Sequence, residues 1–341
     1  MMQSIEPHIK ANHSKSLGSE TQILLADNLR KSYGSRPALR GLSFSLQAGR
    51  ILGFLGPNGA GKTTAIRILT TILEPDSGDF FVDGISSRYP EKIRGKIGVL
   101  PESLGFHKQM TGLECLTFFG QLYGRTPANA KKRGMELLEQ VGLVQRGKSL
   151  IGSYSRGMRQ RLGIARSLIN DPVVVFFDEP TLGLDPYGQQ ELLALIKWVA
   201  RERNIGIILC SHALTEIEDV CDDVVILRSG QIIAQGTVSE VIERAQHNVV
   251  RIHVSSESLA AAQKVLAEVP NVVKITPINA SGDWLLVEVG GATDKAPETE
   301  QALKTQILNA LVGAGISLLS FESEGGRLKD VFFQLTEEVS K

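Results

Sequence analysis

The sequence predicts an α/β protein. A wound, mainly parallel sheet carries a phosphate-binding loop, an antiparallel β subdomain and a helical insertion, and a small α+β domain follows. Three observations predict it. Gly56-Pro57-Asn58-Gly59-Ala60-Gly61-Lys62-Thr63 fits the spacing G-x-x-x-x-G-K-[ST], with an apolar strand pattern over 51–55 before it and a helical face of Ile66, Ile68 and Leu69 after it. Val173-Val174-Val175-Phe176-Phe177 runs into Asp178, the pattern of a strand covered on both faces. Beyond residue 244 the periodicities follow the order βαββαβ, that of a ferredoxin-like split fold.

A chain of 341 residues with 42% hydrophobic and 22% charged residues is long enough for two cores of ordinary globular composition. Lys+Arg and Asp+Glu balance at 37 each, so no basic excess advertises nucleic acid or anionic lipid, and no nucleic-acid partner is expected. The three cysteines, Cys115, Cys210 and Cys221, form no C-x-x-C pair. They argue against a disulfide framework or a zinc site and for a reducing cytosol. Residues 1–20 are polar and read as a flexible N-terminal tail. No apolar run reaches the length of a membrane span, so any link to a membrane runs through a partner.

In chain order, 22–26 and 42–46 read as strands, separated by Lys31-Ser32-Tyr33-Gly34-Ser35-Arg36. Tyr33, in this turn, either stacks on a nucleotide base or packs on the sheet edge. After the loop and its helix, 79–84 reads as a strand and turn, and 96–102 as a strand entering a loop at Glu102. The helical insertion occupies about 103–170. Leu113, Leu116, Thr117 and Gly120 mark one helix, and Leu137, Leu138 and Val141 a second after Thr126-Pro127. A third starts near Ser155 and carries Leu162, Ala165, Leu168 and Ile169. A helix over 187–202, a strand over 205–210 and a hairpin across Ser229-Gly230 complete the domain, which spans 21–243. The second domain, 244–341, has strands over 249–254, 271–278, 284–289 and 316–321 and helices over 258–268 and 298–312. A last helical stripe is Leu328, Val331, Phe332 and Leu335. Phe332 and Phe333 either pack in a core or meet a partner.

The chemistry concentrates in few residues. The glycines of 56–61 let successive N–H groups face one anion, and the helix after them adds its positive end. Lys62 is placed to bridge β- and γ-phosphates and the Thr63 hydroxyl to ligate Mg²⁺. Asp178, ending a buried strand, suits Mg²⁺ held through water, and Glu179, one residue on, suits polarising an attacking water. Ser155 before an apolar helix is a good N-cap. That helix start serves either as a plain cap or as a second γ-phosphate contact.

These motifs occur together in a known order. Gly56–Thr63, 155–160 shortly before Asp178-Glu179, Gly183-Leu184-Asp185 and a strand ending at Ser211-His212 resemble, over about residues 20–240, the ABC ATPases, P-loop NTPases that use ATP and Mg²⁺. The resemblance implies that Tyr33 stacks on adenine and that Asn58, Gly59, Ala60, Gly61, Lys62, Thr63 and Thr64 form the Walker A loop. It implies that Ser155, Gly157 and Gln160 belong to the signature sequence and that Asp178 and Glu179 are the Walker B aspartate and catalytic glutamate. Asp185 falls in the D-loop, and His212 is the switch histidine that senses the γ-phosphate. Glu102 stands where the family usually has the Q-loop glutamine, bringing a carboxylate within reach of a water or metal contact. The signature reads Tyr154-Ser155-Arg156-Gly157-Met158 in place of Leu-Ser-Gly-Gly-Gln. Both departures, and the segment Arg327-Leu328-Lys329-Asp330-Val331-Phe332, resemble the subgroup that powers drug, sodium and polysaccharide exporters with separate permeases.

The resemblance further implies head-to-tail pairing with a copy or a paralogue, since one chain carries one set of motifs. It also implies a multispanning permease docked near Glu102 and the helical insertion, and a position on the cytoplasmic face of the membrane. An alternative is a soluble, non-transport ABC ATPase. Such proteins usually show two cassettes, a long coiled coil or zinc cysteines, none visible here. An importer ATPase, more often carrying a β-barrel regulatory domain, is the third reading.

Overall fold

The computed structural model describes residues 22–245, 248–278, 284–289, 297–324 and 327–337. The expected tail over 1–20 and the turn over 279–282 lie outside the described residues.

Strands β1 (Gln22–Tyr33) and β2 (Arg36–Gln47) form one long antiparallel hairpin. Tyr33 pairs with Arg36 around Gly34-Ser35, so it ends a strand and does not lie in an open turn as expected. The sequence alternation is lost because β1 bulges between Ala26 and Leu29, where Asn28 adopts a positive φ of 49°. Strand β3 (Ile51–Leu55) is wholly buried and leads through the glycine loop into α1 (Lys62–Leu69). Next come β4 (Ser77–Val82), β5 (Ile85–Ser86), α2 (Pro90–Arg94) and β6 (Ile97–Leu100).

The insertion holds α3 (Gly112–Leu122), α4 (Pro127–Gln140) and α5 (Arg156–Ser167). Each begins at a hydroxyl cap that satisfies an otherwise orphan N–H: Thr111, Thr126 and Ser155. Thr111 and Glu114 close a full capping box, a start signal additional to those read from the sequence. Then follow β7 (Val174–Asp178), α6 (Pro186–Arg203), β8 (Gly206–Cys210), α7 (Leu214–Val220), β9 (Asp223–Arg228), β10 (Gln231–Thr237) and α8 (Val238–Ala245).

The central sheet has the order β10-β9-β3-β8-β7-β6, parallel except for β10, while β2-β1-β4-β5 forms a separate antiparallel sheet. Alternate residues of the central strands feed two cores. Val174, Phe176, Ile208 and Phe54 face α1 and the antiparallel sheet, and Val175, Phe177, Ile207 and Leu209 face α5, α6 and α7. That is why the 173–177 run is apolar throughout.

Past residue 247 the elements are β11 (Asn248–Val254), α9 (Leu259–Ala267), β12 (Val272–Pro277), β13 (Trp284–Val289), α10 (Pro297–Gly313) and β14 (Leu318–Glu324). Their antiparallel sheet has the order β12-β13-β11-β14, and Val250, Ile252, Leu266, Leu285, Val287, Ile307 and Leu311 form a core of its own.

The last helix, α11 (Leu328–Glu337), falls within the expected second domain of 244–341 but packs on elements that precede it. Leu328 and Val331 are fully buried in the core that also contains Ile217 and Val220 of α7 and Val238 and Val241 of α8, and Phe332 and Leu335 pack against it. Arg228 donates to the Leu335 carbonyl at 3.0 Å, and the Leu328 N–H donates to Glu218 Oε2 at 3.0 Å. The helical spacing revealed an apolar stripe but not which core it faces. Phe332 thus packs inward, while Phe333 is 43% exposed.

Candidate active site

The loop over 56–61 is shaped by backbone on both sides. Gly61 has φ +108°, and a Cβ there would stand 2.7 Å from the Ala38 carbonyl of β2. A Cβ at Gly56 would stand 2.5 Å from the Leu227 carbonyl of β9. The Gly230 N–H, in the β9–β10 turn, donates to the Ala60 carbonyl at 2.9 Å, and Ala60 is buried. Only glycine lets the chain pass so close to neighbouring main chain. Gly61 caps α1 without a side-chain hydrogen bond, and the first turn holds no acidic residue, so its N–H groups face outward as donors for an anion. Asn58, Gly59 and Thr63 are exposed, and Thr64 is half-buried. The Lys62 ammonium turns back onto the Gly56 and Pro57 carbonyls. Burial lowers its proton affinity, against the opposing charges of Glu179 and Asp178. Tyr33 is 51% exposed at the tip of the β1–β2 hairpin, whose second strand buttresses this loop.

Across the loop, β7 ends in Asp178, and Glu179 follows it directly. Burial first, and then the charge of Glu102, push the Asp178 carboxyl above its ordinary range, while His212 and Lys62 pull it back. Glu102, expected at the site, is an exposed residue in the loop after β6 and acts on Asp178 by its charge. Glu179 adopts φ +49°, a rare backbone for a side-chain-bearing residue, fixed by its N–H donating to Cys210 O at 2.9 Å. Its carboxylate thereby faces His212. Nε2 stands 3.5 Å from Glu179 Oε1, and the His212 N–H donates to Oε2 at 3.4 Å. Burial raises the Glu179 carboxyl, and His212 opposes that shift. Two carboxylates and the Thr63 hydroxyl are hard oxygen donors beside a phosphate cradle, a set that suits Mg²⁺ together with a nucleotide triphosphate.

The structure brings Lys62, Asp178, Glu179, His212 and Glu102 within electrostatic reach of one another at the loop. No hydrogen bond or ion pair among the described residues joins 155–160 to 56–64. Ser155 Oγ accepts from the Met158 N–H at 3.2 Å, and Asp185 Oδ1 accepts from the Gly188 N–H at 2.8 Å to start α6. Both are exposed. The Arg156 guanidinium lies over Gly183, so the signature and D-loop of one chain adjoin. Gln160 departs from the expected contact role: it is 4% exposed on the inner face of α5, a core position and not a rim one. Tyr154, in the family's leucine place, is buried, and its hydroxyl donates to the Arg146 carbonyl at 2.7 Å beside Gly112. The support that Ala38 and Leu227 give the loop escaped the sequence reading because they act through main chain, which leaves no residue-type signal, and Gly230 was read only as a hairpin turn.

A glycine cradle at the head of a helix, a lysine beneath it and paired carboxylates at the end of a parallel strand of the same sheet, one strand removed from the loop's own, define a P-loop nucleoside-triphosphatase. The comparisons narrow this class. Residues 39–182 match the protein-family model described as "ABC transporter". The linearmycin resistance ATP-binding protein LnrL of Bacillus subtilis (strain 168) is 33% identical over 318 residues, covering 92% of this chain and 98% of the relative. The Nod factor export ATP-binding protein I of Ralstonia nicotianae is 34% identical over 318 residues, covering 93% and 94%. A solved ATP-binding subunit of an ABC transporter superposes with a TM-score of 0.58 at 30% identity, covering 65% of this chain and 92% of that one. The chain belongs to the ABC transporter family as an ATP-binding, ATP-hydrolysing protein.

Proposed function

We propose that this chain is the ATPase subunit of an exporter whose membrane-spanning part is a separate protein. Two relatives matched over nearly their whole length bear names of antibiotic resistance and of Nod factor export, which supports export. Among the described residues no helix is long and apolar enough to cross a membrane, in keeping with a separate permease. Phe118 and Leu122 on α3 and Tyr123 at its C-terminal end stand exposed, and Phe118 lines a groove of about 450 Å³ with Thr111, Leu113, Thr117 and Lys131. With the Glu102 loop, this is the surface we assign to the permease, on the cytoplasmic side of the membrane.

In this reading residues 56–64 hold the ATP phosphates and Tyr33 stacks on the adenine. Thr63, Asp178 and Glu102 hold Mg²⁺, which when bound offsets phosphate charge. Glu179 takes up the proton of the attacking water, and His212 holds Glu179 in place and contacts the γ-phosphate. Ser155 and Gly157 present a helix start to ATP bound by a second copy or a paralogue, with Asp185 at the same seam. The exposure of Ser155 at that helix start, with no hydrogen bond or ion pair among the described residues to the loop of its own chain, supports closure between two subunits. We assign residues 22–245 with α11 to the ATPase domain and 248–324 to a ferredoxin-like accessory unit, on the strength of its strand order.

The observation that carries this reading is the Glu179–His212 pair, held by a left-handed backbone at the end of the Asp178 strand. Glu179→Gln is expected to retain ATP binding, to lower turnover about a hundredfold or more, and to accumulate an ATP-bound dimer on size exclusion. Normal turnover in that variant would remove Glu179 from its role.

A further inference from the structure

The first turn of α7 buries a carboxylate that the roles above leave unused. Glu216 is 8% exposed. One oxygen, Oε2, accepts from the Thr181 hydroxyl at 2.7 Å and from the Ser211 hydroxyl at 2.8 Å. Both partners are themselves buried, at 2% and 3% exposure. No ion pair with Glu216 is found among the described residues, so hydroxyl donors hold this buried charge. A charge out of water is tolerated only with such donors in place, which makes the geometry exacting.

The two hydroxyls belong to the loops that leave β7 and β8. Thr181 lies two residues after Glu179, and its carbonyl accepts from the Leu184 N–H at 3.0 Å, at the start of the 183–185 loop. Ser211 directly precedes His212, and its Oγ also accepts from the Ala213 N–H at 3.1 Å. Glu216 therefore joins the same two loops that Glu179 and His212 join, through a second set of contacts.

We infer that Glu216 is a positioning residue for ATP hydrolysis: a single carboxylate oxygen clamps the loop carrying Glu179 to the loop carrying His212 and so sets their separation. The inference rests on the roles proposed for those two residues. It also gives closure at the 183–185 loop a route to the base, because Thr181 is shared between them. Displacement of a reacting group by about 1 Å costs on the order of a hundredfold in rate, so loss of the clamp acts on turnover more than on ATP binding.

The test compares Glu216→Ala, Glu216→Gln and Glu179→Gln in the full chain, measuring steady-state ATPase activity and nucleotide affinity. Glu216→Ala is expected to lower kcat ten- to a hundredfold with KM for ATP changed less than threefold. Glu216→Gln, whose amide oxygen still accepts from both hydroxyls, restores kcat to within about threefold of the parent. A kcat within twofold of the parent in Glu216→Ala, an equal loss of kcat and affinity, or a Gln variant as slow as the Ala variant would overturn the clamp. Should Glu216→Ala fail to fold, Thr181→Val and Ser211→Ala each remove one donor. A several-fold lower kcat at unchanged KM in both supports the clamp, and parental kcat in both overturns it. If Glu179→Gln itself turns over normally, the proposed base is at fault; if it is inactive while Glu216→Ala is not, only the clamp is.

Discussion

Replacing Leu328 by alanine should destabilise the ATPase domain, although this residue lies more than 80 positions beyond the last strand of that domain's central sheet. Leu328 has no exposed surface and shares a core with Ile217, Val220, Val238 and Val241. The substitution removes about three methylene equivalents, roughly 2.4 kcal/mol of transfer free energy. An unrelaxed cavity brings the total to about 3 kcal/mol. For a domain of this size each kcal/mol moves the midpoint by about 2–4 °C, so the expected fall is about 6–12 °C. The chain has two tryptophans, Trp198 on α6 and Trp284 on β13. In a Trp284→Phe background, Trp198 fluorescence alone follows the ATPase domain during thermal unfolding. A fall of the expected size in Leu328→Ala, measured against the same background, supports docking of α11 as part of that core. A midpoint within 1–2 °C of the background, far below the roughly 6 °C lower bound, would refute it.

Tyr154→Phe deletes the hydroxyl that donates to the Arg146 carbonyl and leaves a carbonyl with one donor fewer. The expected cost is about 1 kcal/mol, seen as a midpoint lower by about 2–4 °C, and an unchanged or higher midpoint would show the bond to be dispensable. Cys115 is 3% exposed, and burial pushes its thiol up to about 11. At pH 8 roughly 0.1% is thiolate, so native protein should leave Cys115 unmodified by iodoacetamide, with the rate rising about tenfold per pH unit. Mass spectrometry of native and urea-unfolded samples measures this, and rapid stoichiometric labelling of native Cys115 contradicts the buried placement.

Local features of this fold are readable from residues. The apolar run before Asp178 announces a two-faced strand, and Thr126 and Ser155 sit at helix starts as their hydroxyls suggest. The strand-helix order of 248–324 follows its periodicity closely. Features that depend on distant partners are not readable in this way. Tyr33 was expected in a turn because Asp27, Asn28, Arg30 and Lys31, around the lone apolar Leu29, hide the strand leading to it. Gln160 sits in a matching motif, yet burial turns it inward, and no spacing rule distinguishes the two faces of a helix start. α7 has no counterpart in the sequence reading, because Thr215, Glu216, Glu218 and Asp219 outnumber its apolar residues and leave only a short stripe. The buttressing of the glycine loop by Ala38 and Leu227 is main-chain geometry that leaves no mark on residue type, and Gly230, at φ +79° with a Cβ position 2.6 Å from the Ala38 carbonyl, marks a turn in the sequence without naming the loop it supports.

The path of α11 changes what kind of object the 248–324 unit is. The chain leaves the ATPase domain after α8 and returns to it at α11, and these two helices pack on each other. The unit is therefore an insertion held at both ends, not an appendage on one strap. One of the elements under α11 is α7, which begins just after His212. The elements on either side of the 248–324 unit thus share one core with the helix that follows the Glu179–His212 pair.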